Sequence, residues 1–356
     1  MRISRLVLLL LPAFLLGMVP ACKKDSGKIK VAVVTNNPAV FWTYCEAGAR
    51  KAAQENDVEL IFRKPEKGEV NVQMDIVKAL EKQGVAGMAV SVIDPDNQAP
   101  ELKILASKMK LLTMDNDADG SDRICYVGTD NYAAGRMVGR LVRDVMPDGG
   151  DLAIFVGQST PLNARERFWG VIDELENKAD RRTDFPAPIY QSKVAGKYDL
   201  WLKGAVTDGA NPEVAKDKAA EALRKIGNNP SVCMIGLWAY NPPAILEAIG
   251  DKHPQVKVVG FDEDDKTLLA IESGRIHASV VQDPYQFGYK SVEILAHEAR
   301  GKTDKRIDKP IPYRVVTKSG TNKKGDPSET IDGVTVQYLK ALDYREFLGT
   351  LIQSTK

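Results

Sequence analysis

Val258-Val259-Gly260-Phe261-Asp262 decides the fold, because an apolar strand here runs directly into a single acidic residue. Its apolar residues are mostly β-branched or aromatic, which is typical of a strand buried on both faces. In an open α/β sheet, ligands bind outside the carboxyl ends of the strands, so Asp262 is a candidate binding residue. It could instead cap a helix that begins near Asp264, and the stretch alone leaves both roles open.

The rest of the chain repeats this pattern from Ile29 onward, with short apolar runs that alternate with amphipathic segments. Such alternation is typical of βαβ units in a parallel sheet. Strands are predicted at 29–34, 58–62, 86–92, 111–114, 124–127, 152–156, 232–237, 256–261 and 278–281. Helices are predicted at 41–55, 72–82, 131–145, 165–177, 213–226, 243–249, 266–273 and 285–300. The runs divide near Asp130 into two similar halves, so we predict an α/β fold of two doubly wound parallel-sheet lobes.

The N-terminal residues indicate export. Arg2 and Arg5 precede an apolar run at 6–18 that is too short to span a bilayer but fits a secretory signal. The run is followed by Val19-Pro20-Ala21-Cys22, which is similar to a bacterial lipobox. We therefore predict that residues 1–22 contain the signal peptide and that Cys22 becomes the lipidated first residue. The lipid would anchor the exported protein to a bacterial membrane, in the periplasm or at the cell surface.

Composition narrows the function classes. Lys plus Arg number 49 against 48 Asp plus Glu, so no basic surface for nucleic acid is expected. No dinucleotide fingerprint, phosphate loop or catalytic constellation is present, which predicts a protein without cofactor or enzymatic activity. No metal site is expected, because the three histidines are scattered: His253, His277 and His297. Three cysteines are expected as buried free thiols, with one disulfide as the alternative: Cys45, Cys125 and Cys233.

The loop after the first predicted strand combines side-chain amides with two adjacent aromatic rings: Thr35-Asn36-Asn37-Pro38-Ala39-Val40-Phe41-Trp42. Sugars need this mixture, because their hydroxyls require donors and acceptors while their C–H faces pack on flat rings. The alternative is a turn whose aromatic side chains enter the core.

Short motifs follow the predicted strands in a fixed order: Asn36-Asn37-Pro38, Met114-Asp115, Val127-Gly128-Thr129-Asp130-Asn131, Asn163-Ala164-Arg165-Glu166-Arg167, Leu237-Trp238-Ala239-Tyr240-Asn241-Pro242, Gly260-Phe261-Asp262 and Val281-Gln282-Asp283-Pro284. Each motif alone is common. Together, over residues 28 to 318, they resemble the ribose-binding-protein family of periplasmic sugar receptors.

The resemblance implies the type I periplasmic binding fold, with a three-segment hinge between discontinuous lobes. The N-terminal lobe would comprise 28–130 plus 283–306, and the C-terminal lobe 131–282 plus 307–320. It does not account for the extension at 321–356, which is expected either to pack along a lobe or the hinge or to form a docking surface. A segment at 196–211 is longer than the family usually has, and is expected to supply another stacking ring or to be an ordered surface loop.

The resemblance also implies a monomeric solute-binding protein of an ABC-type sugar importer, whose partners are a monosaccharide or polyol and a membrane permease. A sugar receptor for chemotaxis or a sensor kinase is the alternative, and a repressor-like effector-binding core is a weaker one. A periplasmic enzyme that uses Asp115 and Asp262 as paired acids is a further hypothesis.

The resemblance assigns ligand-binding residues to both lobes. The first lobe would supply Asn37, Phe41, Trp42, Asp115 and its neighbour Asn116, and the second lobe Arg167, Tyr240 or Asn241, and Asp262. Arg165 competes with Arg167, Trp238 is expected to face Trp42 across the cleft, and Gln282 would lie at the hinge. Two departures matter: Ala39-Val40 precede the aromatic pair, and Asn116 stands where ribose receptors carry an arginine. We therefore expect a sugar that is not bound as ribose is.

Overall fold

The computed structural model describes residues 27–180, 185, 197–331 and 333–353. The predicted signal peptide and Cys22 lie outside the described residues. Within these ranges no helix combines the length and the apolar character needed to cross a bilayer. Cys45, Cys125 and Cys233 are buried free thiols, as predicted.

The described residues form ten α-helices: α1 (Phe41–Glu55), α2 (Val70–Lys82), α3 (Pro95–Ala106), α4 (Asn131–Val145), α5 (Leu162–Leu175), α6 (Pro212–Ile226), α7 (Asn241–Ile249), α8 (Asp265–Glu272), α9 (Pro284–Glu298) and α10 (Ala341–Gln353). All eight predicted helices are among them. Helix α3 was missed because Pro100 interrupts its pattern, although the helix begins in the usual way with the Asp94 side chain accepting from the Asn97 N–H.

The first sheet contains five parallel strands: β1 (Lys30–Val34), β2 (Glu59–Arg63), β3 (Gly87–Val90), β4 (Lys110–Met114) and β5 (Tyr126–Val127). Their spatial order is β2-β1-β3-β4-β5. Helix α9, which comes late in the chain, packs into the core of this lobe beside α1. Because all five strands are parallel, their carboxyl ends meet at one edge of the lobe.

The second sheet contains eight strands: β6 (Gly150–Val156), β7 (Tyr198–Thr207), β8 (Val232–Gly236), β9 (Lys257–Phe261), β10 (Ala278–Val281), β11 (Arg314–Thr317), β12 (Ser328–Ile331) and β13 (Val334–Lys340). Their order is β12-β13-β11-β10-β9-β8-β6-β7. Strands β6 to β10 are parallel, but β11 is antiparallel to β10, and β12 is antiparallel to β13. The predicted parallel sheet is thus mixed at one end.

One segment differs from the sequence expectation, and the C-terminal extension packs along a lobe, which is one of the two arrangements expected for it. The stretch at 196–211, expected as a ring-bearing or surface loop, contains the edge strand β7. Its alternation is broken where Lys203 and Gly204 adopt positive φ and the pairing with β6 shifts register. Tyr198 on this strand is buried and donates to the Met146 carbonyl oxygen, so its ring belongs to the core. Beyond residue 321, β12, β13 and α10 extend the second lobe, whose core contains Tyr344 and Leu348.

One helix pair in each lobe is held in close contact by glycines. A Cβ on Gly48 of α1 would lie 1.9 Å from the Tyr285 carbonyl oxygen, and one on Gly288 of α9 would lie 1.9 Å from that of Cys45. In the second lobe, a Cβ on Gly135 of α4 would lie 2.3 Å from the carbonyl oxygen of Arg167 on α5. These contacts fix the backbones of α1 and α5, and both helices carry residues of the site described next.

The chain passes between the two lobes three times, after β5, after β10 and between α9 and β11. Side chains also connect the lobes directly. The Asn163 N–H donates to Asn116 Oδ1 at 2.9 Å, and Gln158 Nε2 donates to the Gly68 carbonyl oxygen at 3.2 Å. The two strand-end edges therefore face each other across a narrow cleft.

Candidate functional site

Asp115 and Asp262 occupy the same place in the two lobes, directly after β4 and β9. Both have left-handed backbones, with φ of 61° and 63°. Each N–H donates to the neighbouring strand, Asp115 to Val127 at 3.0 Å and Asp262 to Val280 at 2.7 Å. Left-handed residues other than glycine are uncommon and cluster at functional sites. The matching geometry singles out these two carboxylates as candidate site residues.

The two carboxylates line one cavity between the lobes, which has about 400 Å³ of empty space, part of it open to solvent. Nine of the twelve predicted site residues line it: Asn37, Phe41, Trp42, Asp115, Arg167, Trp238, Tyr240, Asp262 and Gln282. The structure adds four that were not predicted: Asn36, Ala39, Asn163 and Ala239. The cavity thus draws on both lobes and on the second hinge crossing.

Arg167 is the cation of this cavity and is only 2% exposed. Its Nε donates to Asn131 Oδ1 at 2.9 Å and its Nη1 to the Leu237 carbonyl oxygen at 2.9 Å. Nη1 also lies 3.8 Å from Asp262 Oδ2, and the guanidinium is 3.8 Å from the centre of the Phe261 ring. Nη2 is buried without a partner. The side chain is therefore held in place with one donor group free for a ligand.

Each carboxylate is oriented by one neutral donor. Ser91 Oγ donates to Asp115 Oδ2 at 2.9 Å, and Gln282 Nε2 donates to Asp262 Oδ1 at 2.8 Å. Burial raises the pKa of Asp115 to about 6, although Arg167 and Ser91 oppose the rise. Burial also raises the pKa of Asp262 against the same arginine and Gln282. One guanidinium thus compensates only in part for the burial of two acids.

Aromatic side chains enter from both lobes. In the first lobe, Trp42 packs edge-on against Phe41, with ring centres 5.0 Å apart, and donates to Asn37 Oδ1 at 3.0 Å. In the second lobe, Trp238 packs edge-on against Tyr240 at 6.3 Å. The Nε1 group of Trp238 is buried without a partner. Trp238 therefore offers the cavity a hydrogen-bond donor as well as an apolar ring.

Three predicted residues do not line the cavity. Arg165 instead forms an ion pair across the cleft, with Nη1 3.3 Å from Asp96 Oδ2. Asn116 accepts the interlobe bond from Asn163. Asn241 accepts from the Trp238 N–H at 3.0 Å and donates to Asp208 at 3.0 Å. Of the alternatives left open by the sequence, Arg167 and Tyr240 reach the cavity, whereas Arg165 and Asn241 support residues around it.

Supporting residues were also missed. Ser91 orients Asp115, and Asn131 orients Arg167. The side chain of Asn163 lines the cavity, and its Oδ1 is buried without a partner. Their positions carried a signal, because Ser91 follows β3 and Asn163 lies at the start of α5. Buried polar atoms normally have partners, so the unpartnered atoms of Arg167, Trp238, Asn163 and Gln282 indicate a ligand with both donors and acceptors.

Comparison with known proteins agrees with this geometry. Residues 29–303 match the model of the periplasmic binding protein domain, and the chain belongs to this family. It is similar to the ribose import binding protein RbsB of Haemophilus influenzae, with 24% identity over 316 residues that cover 86% of this chain and 97% of the relative. It is also similar to the D-allose-binding periplasmic protein of Escherichia coli, with 20% identity over 292 residues that cover 79% of this chain and 87% of the relative.

Solved structures show the same architecture. An ABC transporter solute-binding protein from Burkholderia graminis in complex with D-arabinose superposes with a TM-score of 0.72 and 25% identity, covering 83% of this chain and 98% of that one. One from Agrobacterium vitis with bound D-fucose superposes with a TM-score of 0.71 and 19% identity, covering 83% and 97%. The predicted resemblance to ribose-binding proteins and the predicted two-lobed α/β fold are confirmed.

The pKa of Asp115 predicts how stability depends on pH. The folded protein keeps this proton up to about pH 6, whereas the unfolded chain loses it near the ordinary pKa of 3.8. Between these values the folded state binds more protons, so this group makes stability fall as the pH rises. Asp115→Asn keeps an oxygen that can accept from Ser91, and should stabilise the ligand-free protein at about pH 7.5 by up to about 3 kcal/mol.

Urea unfolding at about pH 4 and about pH 7.5 checks this prediction, with the exposed Asp251→Asn as the control. The gain from Asp115→Asn should shrink at the lower pH, whereas the control should change little at either. An equal effect of Asp115→Asn at both pH values would show that the buried carboxylate does not hold its proton as described.

Proposed function

We propose that this chain is the solute-binding protein of an ABC-type importer, and that one monosaccharide or related polyol binds between its lobes. The observation that carries the proposal is the pairing of Asp115 and Asp262, which come from equivalent strand ends of different sheets and line one cavity with Arg167. A ligand with many hydroxyls fits this set. Each carboxylate accepts from hydroxyl groups, while the arginine donates to ring or hydroxyl oxygens.

The aromatic side chains narrow the ligand class. Trp42 and Trp238 line the cavity from opposite lobes. A pyranose has broad C–H faces that can pack on such rings, whereas a furanose offers less flat surface. We therefore propose a pyranose as the preferred ring form. The similar proteins whose structures contain D-arabinose and D-fucose, and the D-allose-binding protein, support a monosaccharide of this size range.

Ligand binding would favour closure of the lobes. A ligand that contacts both lobes binds the closed arrangement more tightly than the open one, and therefore shifts the equilibrium toward closed. Closure is accompanied by direct bonds between the lobes, including Asn163 to Asn116 and Arg165 to Asp96. A permease in the membrane would then distinguish the closed, loaded shape from the open one.

The setting we propose is that of an exported monomer that binds without chemical turnover. The family consists of binding proteins, and the curated relatives carry importer or binding-protein names. Lipidation of Cys22 would hold the protein at the membrane that contains its permease. The segment boundaries given above, with lobes at 28–130 plus 283–306 and at 131–282 plus 307–320, remain part of this proposal.

A thermal-shift screen of monosaccharides and polyols tests the function, because a ligand at 100 times its dissociation constant adds about 2.7 kcal/mol to the native state. With the best sugar, Arg167→Ala should lower the affinity by about 2–4 kcal/mol, since Asp262 and the ligand both lose a buried partner. Arg165→Ala is the matched control. It should cost at most about 1 kcal/mol, because its ion pair is with Asp96, whose side chain is 70% exposed.

Isothermal titration of both variants decides between the two arginines. If Arg165→Ala lost more affinity than Arg167→Ala, the cavity would not be where the sugar binds. If no monosaccharide or polyol stabilised the unmodified protein, the proposed ligand class would be wrong.

Loss of the proposed lipid anchor should change membrane attachment but not sugar binding. Cys22→Ser should release the protein from bacterial membranes without a change in sugar affinity, because the polar residues 23–27 separate the anchor from the body. Membrane fractionation after a salt wash measures the release, with Ser26→Ala as the control in the same segment. A Cys22→Ser protein that still sediments with membranes would exclude this cysteine as the lipidated residue.

A further inference from the structure

A second cavity lies beside the sugar cavity, between α1 of the first lobe and α8 and α10 of the second. It has about 1,100 Å³ of empty space, part of which is open to solvent, and we name it the α1–α10 groove. Its lining combines acidic, aromatic and apolar side chains, among them Tyr44, Glu263, Asp264, Asp265, Leu348 and Ile352. Helix α10 lies beyond the residues that match the family model, so one wall of this groove comes from the C-terminal extension.

Glu263 is the unusual residue of the groove. It directly follows Asp262, but it lines the α1–α10 groove while Asp262 lines the sugar cavity. It is only 5% exposed, and neither carboxylate oxygen has a hydrogen-bond partner. A buried carboxyl group without partners is costly in a folded protein, so it requires a functional explanation.

Within the part of the chain that the structure describes, no cationic side chain forms a hydrogen bond with Glu263. Arg314 on β11 is near enough to lower the pKa of Glu263, and its Nε is buried without a partner. Its Nη2, however, lies 3.1 Å from Asp283 Oδ2 and donates to the Gln282 carbonyl oxygen at 3.2 Å. Burial and the nearby Asp262 and Asp283 carboxylates hold the pKa of Glu263 well above its usual range. These surroundings therefore favour the protonated carboxyl group of Glu263, and a cation placed beside it would favour the ionised one.

The surroundings of Glu263 add negative charge. Burial raises the pKa of the Tyr44 hydroxyl to about 12, and the carboxylates of Glu263, Asp265 and Asp264, which line the same groove, add to this rise. Burial, together with the nearby Glu263, likewise raises the pKa of Tyr344 on α10. Arg345 also lines the groove, but it is paired with Asp265 through both Nε and Nη2. The groove thus keeps an excess of acidic groups.

The arrangement favours an organic cation. Among the described residues no group of three or more His, Cys, Asp or Glu is placed to hold a metal ion. A single buried carboxyl group next to apolar side chains instead suits a charged head on an apolar stem. We propose that the α1–α10 groove binds an alkyl guanidinium or alkylammonium group, whose charge pairs with Glu263 and whose stem contacts Leu348 and Ile352.

The walls of the groove belong to both lobes, because Tyr44 is on α1 and the acids and α10 belong to the second lobe. Closure around a sugar should complete the groove, so cation binding should be stronger when sugar is present. Only this sugar dependence rests on the proposed function. Binding of the cation as such does not, so failure of the sugar cavity and failure of the groove are distinguishable.

Calorimetric titration with agmatine, a guanidinium on a four-carbon stem, tests the proposal with and without a saturating sugar. Glu263→Gln should weaken agmatine binding by about tenfold or more, because a charge-assisted bond is lost. Arg345→Ala should strengthen it, since Asp265 becomes free. The exposed Asp217→Asn on α6 is the matched control and should change nothing. Titrations in buffers of different ionisation enthalpy should show proton release on binding that is absent in Glu263→Gln.

The strengthening by Arg345→Ala keeps the test valid if Glu263→Gln folds poorly, because a damaged protein does not gain affinity. A parallel titration with acetyl-Leu-Arg-Leu-amide distinguishes the source of the cation. Tighter binding of this peptide than of agmatine would assign the groove to a side chain of a partner protein, and the reverse to a free amine. The proposal is overturned if neither probe binds, or if Glu263→Gln and Asp217→Asn bind agmatine equally well.

Discussion

Two buried carboxylates that share one arginine are the constraint on which the site depends. Asp115 and Asp262 come from different lobes. Burial raises the pKa of both carboxyl groups, and Arg167 offsets this rise only in part. Burial of both acids with a single cation leaves an unfavourable charge balance, as the raised pKa values show. The cost is local and, under the proposed function, would be relieved by a ligand whose hydroxyl groups donate to both acids. Strain in the two left-handed backbones adds to the same local cost.

The scaffold restricts how these groups can move. Glycines hold α1 against α9 and α4 against α5, so that the backbones of the helices carrying Trp42 and Arg167 cannot shift independently of their lobes. Hydrogen bonds from Ser91 and Asn131 then fix the side chains themselves. The remaining freedom lies between the lobes, where three chain crossings and a few side-chain bonds connect two otherwise separate cores. Rigid lobes with a movable connection are what a closing receptor requires.

Sequence patterns predicted the lobes well because buried parallel strands are continuous apolar runs that few other structures imitate. They failed where a local exception interrupts the pattern. Helix α3 was missed because Pro100 interrupts its pattern, and β7 was missed because of the register shift near Lys203. Strand β11 was also missed, because it is only four residues long.

Site residues were predictable where a strand end determines the position, as for Asp115 and Asp262. Predictions were weaker on helices, where residues only two positions apart reach different surroundings. Arg167 enters the cavity while Arg165 pairs with Asp96.

Small-angle X-ray scattering with and without the best sugar measures whether the two lobes close on one ligand. We expect a smaller radius of gyration with sugar, and loss of this change in Asp262→Ala at the same sugar concentration. An unchanged radius of gyration at saturating sugar would contradict this expectation.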